Sequence, residues 1–352
     1  MPSYSATREN WDAKLAELHE RLTVSVDALV AGDEWRQALV FAARFRSRSF
    51  NNALLIWAQH AAAYERGLVP VPLPTFVAGF RQWQTLDRRV DVGQKGYAIF
   101  APVTARFATS SPADLASWRR LNRSERPRPG EVVRTRMVGT RPAYVWDVSQ
   151  TTGSPIPQSP APAILRGCAP EGLWVGVASI VREAGFSLSA PADAAAIDGA
   201  NGLTDFRSRT VSVRADMDDA ARVKTLIHEL AHIRMHEPAT GELLHGGAVE
   251  VEAESVALMV GAVHGMDTSE YTIPYVSTWA SSIEGKSVAE VVQATGERVR
   301  RVAVSILDQL PTAQMGGGDP AGFARSNPSP ILAATTPTST DRAAARPEFR
   351  SL

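Results

Sequence analysis

Cysteine is nearly absent from this chain. Among 352 residues there is one cysteine, Cys168. That excludes an internal disulfide framework and a cysteine-rich zinc site. A lone thiol in a loop reads as incidental rather than nucleophilic. Lysine is almost as scarce, confined to Lys14, Lys95, Lys224 and Lys286. Arginine carries the remaining basic charge, a coding bias rather than a function. There is no basic n-region with an apolar h-region, and no apolar run long enough to span a bilayer, so no membrane partner is expected and cytoplasmic residence is the default. With 44% hydrophobic and 21% charged residues the composition is that of an ordinary globular protein. The length suits two domains. Net charge is also missing, being zero overall. That zero hides a split. Residues 1–150 hold 21 basic and 14 acidic side chains, a net of +7, and the remainder holds 16 and 23, a net of −7. A basic half suits a polyanion and an acidic half does not.

What is present is led by His228-Glu-Leu-Ala-His232. It lies in a run from Ala220 to His236 that lacks Gly and Pro and carries Val223, Leu226, Ile227, Leu230, Ala231 and Ile233. Those residues predict a largely buried helix. Asp216, Asp218 and Asp219 stand ready to cap its start, and Pro238 closes the segment. On a helix, positions four apart share a face, so His228 and His232 can present two imidazoles to one metal ion. Glu229 projects about 100° away and can reach a water on that metal. The bland alternative is a buried helix whose histidines satisfy core hydrogen bonds. A buried ionised glutamate without a task makes it the poorer reading. Upstream, Arg209–Arg214 alternates like a strand that borders the cleft and can pair with an extended peptide.

A catalytic zinc needs a third protein ligand and a fourth position for water. A second predicted helix over 247–260 offers Glu250 and Glu254, four apart on one face: one a ligand, the other a partner that orients an imidazole. Glu252 points elsewhere and is expected in solvent. His236 continues the four-residue spacing, but three successive turns of a straight helix diverge, so it is expected to support the site rather than bind. His245 in a Gly-rich loop is a weaker rival. The longer metzincin pattern is excluded by Met235 and Pro238. Tyr271 and Tyr275 are candidate oxyanion donors, with a core or capping role as their alternative.

The amino-terminal half supplies candidates for nucleic-acid contact. Arg44, Arg46 and Arg48 alternate before Phe50, and Asn51 and Asn52 follow. Trp57, Phe80 and Trp83 offer flat faces, and Lys95 sits in a Gly-containing turn. Single-strand binders combine a basic groove with such rings. Trp57, after Leu54-Leu55-Ile56, also fits a core position. The stretch Arg119–Arg136 adds basicity in what reads as a loop.

Two resemblances follow from these residues. The HELAH run with Glu250-x-x-Ala253-Glu254-x-x-Ala257 resembles the ImmA/IrrE-type zinc peptidases and the carboxy-terminal domain of ArdC-like antirestriction proteins. The resemblance implies Glu250 as the third ligand. The chain has Glu254 where the first family prefers Asn, which leaves Glu254 as the alternative. Ser49–Gln59, Val77–Trp83, Val90–Pro102 and Val145–Pro155 occur in the order seen in ArdC-type amino-terminal domains, which are single-stranded DNA-binding modules. The implied fold is α+β: a small α/β single-stranded DNA-binding domain over 1–150, a linker over 151–170, a zincin-like helical metallopeptidase domain with a small sheet over 171–310, and a disordered tail over 311–352. Helices are expected over 11–30, 32–46, 51–65 and 173–184, and strands over 76–107, 131–148, 186–189 and 204–214. A helix is also expected over 112–122. The implied function is a single-stranded DNA-binding, zinc-dependent peptidase with one Zn2+ per chain, acting on a DNA-associated or regulatory protein. Its alternatives are a non-catalytic antirestriction binder with a structural zinc, and an ImmA-like repressor-cleaving protease.

Overall fold

The computed structural model describes residues 4–31, 34–156, 167–237, 247–267, 279–280 and 285–318. It is a mixed α+β protein with small sheets. Three helices come first: α1 (Tyr4–Ala31), α2 (Glu34–Arg44) and α3 (Phe50–Glu65). The Ser49 hydroxyl caps α3 by accepting from the Asn52 amide, since a helix start leaves its first N–H groups without partners. The first sheet follows, with strands β1 (Val77–Gly79), β3 (Tyr97–Thr109), β4 (Arg119–Arg120) and β5 (Val132–Asp147) in the order β1-β5-β3-β4. Strands β3 and β5 form one long antiparallel hairpin with an irregularity between Val103 and Thr104. A short helix, α4 (Phe80–Thr85), leads to β2 (Arg88–Val90).

Strand β2 pairs with β6 (Thr151–Gly153). The segment expected to open the linker therefore begins as a strand, in a separate two-stranded sheet with β2. The segment 112–122 also differs from expectation. It holds a single 3-10 turn at Leu115–Ser117 and then β4, because Pro112 and the capping Asp114 start a turn that β3 claims as a strand partner.

The edge of β3 is not left open. The Asn52 side-chain amide donates to the Phe100 carbonyl at 2.8 Å and accepts from its N–H at 2.9 Å. Gln59 does the same for Ala98, at 3.0 and 2.9 Å. Two amides on one face of α3 thus stand in for a missing strand.

The second half starts with α5 (Leu173–Glu183) and a sheet of β7 (Ser187–Ser189), β8 (Gly202–Asp205) and β9 (Thr210–Val213), ordered β7-β9-β8. The strand expected over 204–214 is split into a hairpin. Asp205 accepts from the Arg207 and Ser208 amides, and Arg209 adopts a positive φ of 51°, so the chain reverses there. Strand β9 becomes the middle strand and β8 an edge. Helices α6 (Asp219–Met235), α7 (Gly247–Val263) and α8 (Val288–Leu307) complete the half.

Helix α7 is buried on nearly every side from Val251 to Val263, because α6, α2 and α8 all pack on it. The core is accordingly one cluster, running from Leu18 and Leu39 through Leu55 to Leu226, Val256 and Ile306. The halves also meet through polar bonds. The Trp35 indole N–H donates to Ser255 Oγ at 3.3 Å, and the Phe50 N–H donates to Glu297 at 2.8 Å.

Residues 311–318, the start of the segment read as a tail, dock back on the amino-terminal half. The Gly318 N–H donates to the Arg44 carbonyl and its own carbonyl accepts from Val77 N–H, at 2.6 and 2.8 Å. A Cβ at Gly318 would lie 2.2–2.5 Å from the ring of Phe45, which is fully buried. Gly318→Ala should therefore destabilise the protein by about 1–3 kcal/mol in chemical denaturation, as overpacking of a tight contact does. An unchanged midpoint would show that this segment does not pack there in solution.

Candidate metal centre and nucleic-acid interface

Asp218 caps α6 by accepting from the Ala221 amide at 2.8 Å, which sets the phase of the helix. Four residues apart, His228 and His232 then turn the same way. Their Nε2 atoms lie 3.0 Å apart. Glu250, in the first turn of α7, brings its carboxylate to 3.3 Å from His228 Nε2 and 3.6 Å from His232 Nε2. These three residues are the one group of potential metal ligands of this kind among the described residues. Zinc with bonds of about 2.0–2.1 Å to nitrogen spaces tetrahedral ligands about 3.3 Å apart. The observed 3.0–3.6 Å spread fits such an ion. The histidines are largely buried, whereas the Glu250 side chain is 65% exposed, so the centre opens to solvent on the α7 side.

The far ring nitrogens show how the imidazoles are held. His228 Nδ1 lies 3.2 Å from Glu254, whose other oxygen meets Lys224 Nζ at 2.7 Å. A carboxylate only accepts, so His228 donates from Nδ1 and turns the Nε2 lone pair to the centre. His232 is held in series. Its Nδ1 lies 3.1 Å from His236 Nδ1, and His236 Nε2 lies 3.0 Å from Glu252. His236 must donate to Glu252 from Nε2, leaving its Nδ1 to accept from His232. The His232 Nε2 lone pair then also faces the centre. Arg298 on α8 bonds Glu252 in turn.

Glu252 corrects an expectation. It is 6% exposed rather than solvated, because α7 has no solvent face at that position. Burial favours its neutral form, but His236 and Arg298 outweigh burial and hold its carboxyl below the usual range. Glu254 stands likewise: burial opposes its charge, and His228 and Lys224 overcome that. Glu254 thus occupies the outer nitrogen of His228 while Glu250 occupies the inner side. The neighbouring imidazoles of His228 and His232 hold the Glu250 carboxyl well below the ordinary range.

Glu229 is 6% exposed and lies against β8. Thr204 Oγ1 donates to its Oε2 at 2.7 Å. A Cβ on Gly202 would lie 2.7 Å from Glu229 Oε1 and 2.6 Å from Thr225 Cγ2, so only glycine leaves the carboxylate its place. Burial pushes the Glu229 carboxyl up, against the pull of His228, Thr204 and His232. Sequence reading missed Gly202, Thr204, Lys224 and Arg298. None carries a motif; Gly202, Thr204 and Arg298 come from neighbouring elements, and Lys224 lies one turn before His228 on α6. Tyr271, Tyr275 and His245 lie outside the described residues.

The nucleic-acid candidates fare differently. Trp83 is fully buried, and its indole N–H donates to the Trp146 carbonyl at 3.0 Å, so it has no face for a base. Arg46 bonds Gln314 at 2.6 Å and Arg48 bonds the Val77 carbonyl at 2.8 Å, tying the turn after α2 to its surroundings. Arg44 is half-buried, with its backbone carbonyl on Gly318. Asn51 bonds Gln293 and Asn52 bonds Phe100. Trp57 packs against the core, as its apolar neighbours suggested. Arg46, Arg48, Asn51, Asn52 and Trp57 thus brace helices and strands of the fold. Phe80 (48% exposed, edge-on to Trp146) and Lys95 remain at the surface.

Comparison with known proteins bears on the amino-terminal half. Residues 16–145 match the family described as the N-terminal domain of anti-restriction factor ArdC. An uncharacterized protein of Bacillus anthracis is 23% identical over 288 residues, which is 77% of this chain; the chain spans about half the length, 46%, of that relative. Two crystal structures of the antirestriction protein ArdC from plasmid R388 are similar at 15% and 16% identity, one metal-free and one Mn(II)-bound. Their TM-scores are 0.49 and 0.48, and each covers 82% of this chain and 97% of the matched chain.

Two outcomes follow for the metal centre. Glu252→Gln or His236→Ala should weaken metal binding about 10- to 100-fold in chelator competition, as loss of an orienting partner does; unchanged affinity would make the His236–Glu252 arm irrelevant to the centre. In the metal-free protein burial lowers the His228 pKa, but Glu250 and Glu254 outweigh it and raise the pKa to about 9. Below that pH an entering metal must displace a proton. Apparent affinity should climb about tenfold per pH unit from neutrality toward about 9 and then level off. A plateau already reached at neutral pH would contradict this.

Proposed function

We propose that this protein is a zinc-dependent peptidase with a zincin-like carboxy-terminal half, directed by its amino-terminal domain to proteins on single-stranded DNA. The observation that carries the reading is the convergence of His228 Nε2, His232 Nε2 and the Glu250 carboxylate on one point beside the buried Glu229. Two imidazoles with one carboxylate suit zinc better than a hard cation. Zinc bound by these residues would supply a Lewis acid for a peptide carbonyl and lower the pKa of a water to about 7.

The remaining work falls to the chain itself. Glu229, its carboxyl raised by burial, accepts a proton from the attacking water and passes it to the departing amine. Thr204 holds that carboxylate in one rotamer, and Gly202 makes the space for it. Strand β8 carries both residues, and its outer edge is unpaired among the described residues. An extended peptide can add to that edge, which places its backbone beside Glu229. This role belongs to β8 rather than to the Arg209–Arg214 strand, because β9 has partners on both sides.

The match to the ArdC-type domain and the +7 charge of residues 1–150 support the DNA arm. Because that match stops at residue 145, a second reading stands beside the first: an antirestriction binder whose metal clamps α6 to α7 without catalysis. One variant separates the two. Glu229→Gln should abolish cleavage of a generic peptide or casein substrate while metal content stays stoichiometric. Undiminished cleavage with metal still bound would remove Glu229 from the chemistry. A wild-type protein that holds metal yet cleaves nothing, with DNA binding intact, would favour the clamp.

A further inference from the structure

The positive charge of the amino-terminal half is not spread over it. Residues 103–141 hold nine arginines against three acidic residues, a net of +6 within the half's +7. Two of those acids are already engaged, since Arg119 bonds both Glu125 and Glu131. The third, Asp114, accepts from the Ala116 amide. The stretch Arg119–Arg136 read as a loop in sequence. In the structure it is anchored by β4 on β3 and by those Arg119 bonds.

The register puts a defined set on one face. Phe107 pairs with Arg120 on β4 and with Arg134 on β5, and Ala105 pairs with Arg136. Side chains directly opposite share a face, and so do positions two apart, at a spacing of about 7 Å. Arg120, Phe107, Arg134 and Arg136 therefore form one patch. Trp118 completes it: the guanidinium groups of Arg134 and Arg136 lie 5.0 and 4.8 Å from its ring centre, and Arg136 also lies 5.7 Å from that of Phe107. None of Arg120, Arg134 and Arg136 meets a carboxylate among the described residues. Stacking on rings orders these cations while leaving their N–H donors free for an acceptor.

We infer that the outer half of the β3–β5 hairpin, centred on Arg120, Arg134, Arg136 and Trp118, is the surface that binds single-stranded nucleic acid. The inference rests on the DNA arm of the proposed function and moves its location away from the Arg44–Arg48 turn. A polyanion matches the unneutralised arginines. The rings of Trp118 and Phe107 beside them suit unpaired bases, whose faces a duplex keeps stacked inside.

The test uses the full chain and a labelled oligo-dT, with affinity read across a salt series. Wild type should lose affinity steeply as salt rises. Arg134→Gln/Arg136→Gln should bind more weakly at every salt and reduce the log–log slope by about 1.4, two contacts at about 0.7 each. Arg182→Gln/Arg207→Gln, exposed positions in the other half, should match wild type. Arg120→Gln alone, with an unchanged melting temperature, should remove about 0.7 from the slope and guards against misfolding of the double variant. A wild-type slope retained in Arg134→Gln/Arg136→Gln overturns the hairpin assignment and leaves DNA binding itself standing. A flat slope for wild type overturns DNA binding and the hairpin together. Equal affinity for a duplex of the same length overturns the single-strand commitment.

Discussion

Ionisable side chains buried between α6 and α7 are the constraint on which the rest of the structure depends. Taking charge out of water is costly unless every polar atom finds a partner. Here the partners form two closed arms. Lys224, Glu254 and His228 make one; Arg298, Glu252, His236 and His232 make the other. Each arm ends in a lone pair, and the two lone pairs lie 3.0 Å apart. Two such lone pairs repel unless a proton or a cation sits between them. The raised pKa of His228 is the metal-free answer, and a divalent ion beside Glu250 is the other.

This arrangement ties the centre to the whole molecule. Arg298 sits on α8, and α8 also receives Phe50 and Asn51 of α3 through Glu297 and Gln293. Ser255, one residue from Glu254, accepts from Trp35 of α2. Gly296 lets α8 approach Phe50 so closely that a Cβ would lie 2.5 Å from the ring. The amino-terminal helices are therefore part of the scaffold that holds α7. Two halves of opposite net charge share one core.

How much of this the sequence disclosed depends on the range of the interaction. The α6 face, its Asp218 cap and the third-ligand candidate Glu250 are local or one helix away, and period and spacing reveal them. Glu252 looked solvated because periodicity assigns α7 one apolar face. Packing by three helices buries all of it, and no local pattern announces that. Trp83 and Arg46 looked like contacts for DNA because composition cannot tell a ring in the core from a ring at the surface. Arg119–Arg136 looked like a loop because β4 is two residues long and its pairing with Phe107 and Ala108 is non-local. Gly202 and Thr204 were invisible for the same reason: a strand brings them to Glu229 from 25 or more positions away.

The central claim is that two imidazole Nε2 atoms and the Glu250 carboxylate bind one ion and leave a place for water. X-ray absorption at the zinc edge of the purified, zinc-loaded protein tests it directly. The account predicts one zinc per chain with two imidazole nitrogens at about 2.0–2.1 Å and two oxygens at about 2.0–2.2 Å, one of them lost in Glu250→Ala. A shell that contains sulfur, holds a single imidazole, or is unchanged by Glu250→Ala would contradict it.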